Sequence, residues 1–199
     1  FIRDTDYAGN FDEFMAEVDT DESFCFWLGT SEPHRFYQEG SGLETGKDLS
    51  KIVVPAIFPD NDIVRSDIAD YLVEVEHFDT MVERAIATLE EQGLLDNTIV
   101  VVTSDHGMPF PRAKATLYDW GSRVPLAIRW PEGIDSPGRV VDSFVNLSDL
   151  APTFLEAARV AVPNMMSARG ILDIFANQEV HNRDAAYIAM ERHDGCRAG

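Results

Sequence analysis

The chain has 199 residues, 45% hydrophobic and 26% charged, enough for a substantial buried core of ordinary globular composition. Its 16 Lys and Arg stand against 35 Asp and Glu, a formal charge of −19. That balance argues against nucleic acid and anionic membrane as partners, since phosphates are bound through Lys and Arg, and an anionic ligand would need local positive groups or a metal.

From the amino end, Asn10–Glu17 reads as a short amphipathic helix with Phe11, Phe14 and Met15 on one side. Ser23–Leu28 (SFCFWL) reads as a buried strand, which places Cys25 in the core. Gly29–Ser50 is a long polar loop containing Glu32-Pro33-His34-Arg35, and loops of that length in compact domains are functional or disordered. Val53–Pro59, framed by prolines, is extended. Ile63–Gln92 carries the clearest helical spacing, through Ile68, Tyr71, Leu72, Val75, Phe78, Val82, Ile86 and Leu89. Asp60, Asp62 and Asp67 suit its positive end, and Gly93 its stop.

Thr98–Thr103 is a β-branched run and reads as a buried strand. Val124–Trp130 and Arg139–Val145 read as further strands. Ser148 can cap a helix running to Ala158, Ile171–Phe175 is a short helix, and Ala185–Met190 a last strand. Strands separated by helices predict one α/β domain with a mostly parallel central sheet flanked by helices. The chain opens at Phe1 without a signal-peptide pattern and closes just after a strand-like segment. Both ends read as cuts, so the expectation is a fragment of a longer protein. No apolar run is long enough to span a membrane, and two cysteines, Cys25 and Cys196, imply no disulfide framework.

The chemistry concentrates where the run Thr98–Thr103 ends in Ser104-Asp105-His106-Gly107. In open α/β sheets, ligands gather at the carboxyl ends of strands. A backbone turning at Gly107 can bring the Asp105 carboxylate and the His106 imidazole to one ion. The bland alternative on the residues alone is Asp105 capping a turn beside an idle His106. Lys114, in the stiff loop PFPRAKATLYD, can hold a sulfate or phosphate oxygen as a point charge, or be a solvated loop lysine. If Ser23–Leu28 neighbours Thr98–Thr103, His34 emerges at the same edge, where it can protonate a leaving oxygen, with Arg35 beside it to read an anion. His193, after the last predicted strand, is a weaker candidate for that edge, whereas His77 and His181 read as ordinary surface or helix residues. There is no P-loop, no Rossmann glycine fingerprint, no zinc-type cysteine spacing and no Ser-His-Asp order.

SDHGMPFPRAKATLYDWGSRVPLAIRWP resembles the second half of the sulfatases, within the alkaline phosphatase-like superfamily. GTSEPHRFYQEGSG resembles their His-bearing loop, and LLDNTIVVVTSDHG and NLSDLAPTFLEAA follow in the family's order. The PHR tripeptide and the PFP run point to the N-sulfoglucosamine sulfohydrolase-like members. The resemblance implies that Asp105 and His106 are the second pair of metal ligands and that Lys114 holds the sulfate. It implies that His34 contacts the sulfate or leaving group, and that Glu32 and Arg35 shape the substrate pocket. The implied cofactor is one divalent cation, Ca²⁺ first, with Mn²⁺ or Zn²⁺ made more credible by an imidazole at His106.

The resemblance also shows what these residues lack. Family members carry an early Asp-Asp ligand pair and a C/S-x-P/A-S-R motif whose Cys or Ser becomes formylglycine, the nucleophile. Neither Cys25 in SFCFWL nor Cys196 in DGCRAG is followed by Pro or Ala, then Ser-Arg. The chain is therefore expected to hold half of a sulfatase site, acting on a sulfate ester or sulfamate of a sulfated small molecule or glycan, and to be inactive alone. A phosphonate or phosphate ester hydrolase of the same superfamily and a non-catalytic binder of sulfated glycans are the alternatives. Export to periplasm or medium rests on the resemblance only, and the oligomeric state is open.

Overall fold

A computed structural model describes residues 2, 4–19, 21–176 and 183–189. The chain divides into two compact units, Phe1–Leu94 and Leu95–Gly199.

The first unit is organised by α3, Asp62–Glu91, capped at its start by the Asn61 side chain, which accepts from Val64 N–H. At its end Gly93 adopts φ +70°, and Leu94 N–H closes on Leu89 O at 2.9 Å. The first predicted helix starts a turn earlier than its apolar pattern suggests. This helix, α1, spans Tyr7–Glu17 because the Asp6 carboxylate accepts from Gly9 N–H at 2.9 Å and caps it. α1 packs on α3, where Arg84 bonds Asp6 and Thr88 bonds Asp12.

Residues 23–28 are extended but form no ladder, so the predicted strand Ser23–Leu28 is corrected to an unpaired segment. Its period of two is nevertheless present: Phe24, Phe26 and Leu28 turn inward, and Phe26 lies 5.0 Å from both Phe11 and Phe14. Alternation puts Cys25 and Trp27 on the opposite side, so Cys25 is exposed rather than core, and Trp27 is 87% exposed. The long loop contains α2, Ser41–Glu44, and a 3-10 turn, Leu49–Lys51. Val53–Pro59 is not extended throughout, because Phe58 N–H bonds Pro55 O and closes a turn.

In the second unit, β1, Val100–Thr103, pairs with β2, Leu126–Arg129, in register from Val100↔Arg129 to Thr103↔Leu126. That ladder is antiparallel, whereas the sequence predicts a mostly parallel sheet. Parallel pairing requires a crossover element between the strands. The link from β1 to β2 holds only α4, Asp119–Ser122, and folds back on itself. Residues 139–145 and 183–189 form no ladder, so the strand expected at Arg139–Val145 is absent; Met190 of the last expected strand lies outside the described residues. An apolar pattern can specify extended backbone, but a strand also needs a partner edge.

The core of this unit is Ile171, Ile174 and Phe175, packed against Ile128, Trp130, Val145 and Leu150. Ile174 and Phe175 lie on α6, Leu172–Phe175. The predicted Ser148 cap is replaced by a capping box of Asn146 and Asp149 around a 3-10 turn, Leu147–Asp149, which leads into α5, Leu150–Ala157. Asp149 is buried and also takes Arg183 Nη1 at 2.7 Å. Thr153, fully buried, donates to Asp149 O and accepts from Ile171 N–H, tying α5 to the segment before α6. No helix among the described residues is long and apolar enough to cross a membrane.

Candidate active site

Glu32, His34 and Arg35 lie in the first unit, on the loop between the aromatic segment and α2. Ser31 N–H donates to Tyr7 Oη at 3.0 Å, and His34 N–H donates to Ser31 O at 2.9 Å, so the tripeptide stands on a turn anchored to α1. Glu32 is buried and His34 exposed. His34 Nδ1 lies 2.5 Å from Arg35 O. A carbonyl only accepts, so Nδ1 carries the proton and Nε2 faces outward with its lone pair.

Arg35 is engaged by its own chain. Nη1 donates to Asp67 Oδ1 at 3.0 Å, Nη2 donates to Asp67 Oδ2, and the guanidinium lies 4.9 Å from the Tyr37 ring centroid. Burial, aided by the Asp70 charge, pushes the Asp67 carboxyl above its ordinary range against the pull of Arg35. Burial likewise raises the Tyr37 phenol. Asp67 and Asp70 are residues that sequence reasoning missed as parts of the site. Their spacing of three on a helix was the available signal, since it puts two carboxylates on one face.

Asp105, His106 and Lys114 lie in the second unit, on the loop leaving β1. Ser104 Oγ donates to His106 O at 2.8 Å, and Thr103 Oγ1 donates to Pro125 O at 2.8 Å, fixing the exit from the strand. Gly107 N–H donates to Gly121 O at 3.0 Å, and Lys114 N–H to Met108 O at 3.0 Å. Phe110 and Ala113 of this loop are buried. Two glycines allow the folding back: a Cβ on Gly107 would lie 1.8 Å from Trp120 O, and one on Gly121 would lie 2.3 Å from Ala113 O. Lys114 is half-buried.

His106 Nδ1 lies 2.9 Å from Gly107 O and donates to it, which leaves Nε2 turned toward Asp105. That nitrogen is 3.4 Å from Asp105 Oδ2, on a side chain 83% exposed. That separation suits an ion pair when the imidazole is protonated, and it also suits two donors to one cation. Among the described residues no group of three His, Cys, Asp or Glu side chains comes together. His193 lies outside the described residues.

A sequence model of the family Sulfatase matches residues 1–160, and the chain belongs to that family. Human N-sulphoglucosamine sulphohydrolase is 32% identical over 186 residues, covering 83% of this chain and 36% of that protein. An ulvan-active sulfatase of Formosa agariphila is 31% identical over 157 residues, covering 77% of this chain and 26% of the relative. Among solved structures, a phosphonate monoester hydrolase from Silicibacter pomeroyi superposes with TM-score 0.71 at 25% identity, covering 90% of this chain and 43% of that one. These likenesses place the chain in the alkaline phosphatase-like fold. The chain spans roughly a quarter to two fifths of the length of the proteins it matches.

Proposed function

We propose that this chain is part of a metal-dependent sulfatase that hydrolyses a sulfate ester or sulfamate of a sulfated sugar. The observation that carries the reading is the facing pair of Asp105 and His106, set at the end of β1 on the same glycine-locked loop as Lys114. Asp105 and His106 would hold a divalent cation, Ca²⁺ first, with Mn²⁺ or Zn²⁺ as the alternatives that an imidazole ligand favours. Such an ion, when bound, supplies positive charge that polarises the sulfuryl group.

The Lys114 ammonium balances charge on the sulfuryl oxygens. His34, with Nδ1–H tied to Arg35 O, presents Nε2 as its one exchangeable site. In its protonated form Nε2–H gives a proton to the departing alcohol or amine. Glu32 and His193 are proposed as substrate-binding residues. The nucleophile, a formylglycine in the family's motif, would come from outside these residues. The names of the two sulfatase relatives support a sulfated saccharide as substrate.

The test is turnover of an aryl sulfate, a glucosamine N-sulfate and an aryl phosphonate by the protein that carries this chain, before and after chelation. Hydrolysis of a sulfate or sulfamate that stops on chelation and returns with Ca²⁺ or Mn²⁺ is expected. The likeness to a phosphonate monoester hydrolase supports a second reading, and faster turnover of the phosphonate than of either sulfur substrate would select it.

A further inference from the structure

The loop that carries His34 is fastened along one helix. Its attachments climb α3 in order: Arg35 to Asp67, the Gly40–Gly42 backbone to Asp70, and Lys47 Nζ to Glu76 Oε1 at 2.5 Å. Asp70 is 4% exposed and is filled by this task. Its Oδ2 accepts from Gly40 N–H at 3.0 Å, and its Oδ1 accepts from Gly42 N–H at 2.8 Å and from Ser41 Oγ at 3.4 Å. Gly42 sits so close to α3 that a Cβ there would lie 2.5 Å from the Ala69 Cβ. The chain then returns, and Arg65 Nη1 donates to Leu49 O at 2.7 Å and Ile52 O at 3.0 Å.

Asp67 and Asp70 are one helical turn apart on a rigid 30-residue element. The bidentate geometry at Arg35 fixes both the position and the plane of the guanidinium. The backbone carbonyl of that same residue holds the His34 Nδ1–H. A carboxylate on α3 is thus two links from the tautomer and direction of the His34 ring.

We propose that Asp67 and Asp70 are positioning residues for His34, Asp67 acting through Arg35 and Asp70 through the backbone of α2. Arg35 then serves the loop rather than the substrate: its fork is matched to a carboxylate of its own chain. The inference rests on the sulfatase reading only for the claim that His34 needs its place in order to act. The fastening itself is independent of that reading.

The experiment compares wild type with Asp67→Ala, Asp67→Asn and Asp70→Asn in the protein that carries this chain. Three readouts are taken: amide hydrogen exchange over residues 34–45, the ¹⁵N shifts of the His34 imidazole, and steady-state kinetics on an aryl sulfate against pH. In Asp67→Ala, exchange over the loop should rise by tenfold or more, and the His34 shifts should move from a single Nδ1–H tautomer to a mixture. kcat should fall by tenfold or more with KM changed by less than threefold, and the pH limb that depends on His34 should move. Asp67→Asn, which keeps the shape and one acceptor, should recover part of each effect.

Unchanged exchange and an unchanged tautomer in both Asp67 variants overturn the proposal, whatever the kinetics. A loosened loop with unaltered kcat and pH profile overturns it as well, because the loop would then be held for another reason. If wild type turns over no sulfate or sulfamate, the sulfatase reading fails, and the exchange and tautomer data alone decide whether α3 sets the His34 ring. Should Asp67→Ala not fold, Asp67→Asn and Asp70→Asn supply the same comparison.

Discussion

The glycine at the centre of the β1 loop can be tested by one methyl group. In Gly107→Ala the added Cβ would lie 1.8 Å from Trp120 O, 2.8 Å from Trp120 C and 2.9 Å from Gly121 Cα. An ordinary carbon–oxygen contact begins near about 3.3 Å, so the two backbones must part by roughly 1.5 Å. All three obstacles are backbone atoms, so no side-chain rotation relieves them. The separation strains the loop by about 1–3 kcal/mol and breaks the bond from Gly107 N–H to Gly121 O, which contributes about 0.5–1.5 kcal/mol. Together these predict a loss of about 2–4 kcal/mol, or roughly 5–15 °C in Tm for a chain of this size. Because Asp105 and His106 immediately precede Gly107, Ca²⁺ or Mn²⁺ affinity should fall about tenfold or more. Gly93→Ala is the comparison: Gly93 has φ +70°, so an alanine there is strained in its backbone, but nothing lies within 4 Å of its Cβ position and metal affinity should stay at the wild-type value. Calorimetry with and without the metal reads both quantities. A Gly107→Ala variant with wild-type Tm and wild-type metal affinity would refute the close backbone approach and the role of the loop.

Three further outcomes are expected. Asp149→Ala leaves Arg183, whose side chain is 10% exposed, without its buried carboxylate, and should cost about 3–5 kcal/mol in urea unfolding; a loss below about 1 kcal/mol would show that this pair holds nothing together. His34→Ala should lower turnover by about 10²–10⁴-fold on substrates with poor leaving groups and far less on an activated aryl sulfate, since an activated leaving group needs no proton; equal losses on both would remove the general-acid assignment. Hydrogen bonds from Arg84 and from Gly9 N–H hold the Asp6 carboxyl below its ordinary 3.8. The stability it contributes is therefore present above that pH and lost as pH falls through the lowered value. Asp6→Asn, which still caps α1, should flatten the acid-unfolding curve at pH values below the ordinary carboxylate range, and an unaltered curve would contradict the pairing.

Much of the local structure was legible in advance because it depends on neighbours in the chain. The helical spacing from Ile68 to Leu89 predicts α3 to within a residue at each end. The β-branched run ahead of Asp105 becomes β1, and VPLAIRW becomes β2. The period of two in SFCFWL is real, but its direction relative to the core was not readable, since both sides are apolar. Packing of Phe24 and Phe26 on α1 sends Cys25 and Trp27 outward. The cap expected at Ser148 lies two residues earlier, at Asn146 on the 3-10 turn ahead of α5, because SDL and NLSD both satisfy the composition of a cap and only the fold selects between them.

The chemistry of the site divides in the same way. Asp105, His106, Lys114 and His34 stand out from residue type and local context, because a carboxylate, two imidazoles and an ammonium beside turn residues are few and conspicuous in a sequence. Their settings do not. That Arg35 is consumed by Asp67, and that Asp70 holds a loop 28 residues away, both depend on segments meeting in space. Short-range patterning is sufficient to choose helix, turn and extended backbone, since those energies lie within a few residues. Pairing direction, the face a strand buries and the partner of each charged group are decided by contacts between distant segments, and so emerge only from the tertiary structure.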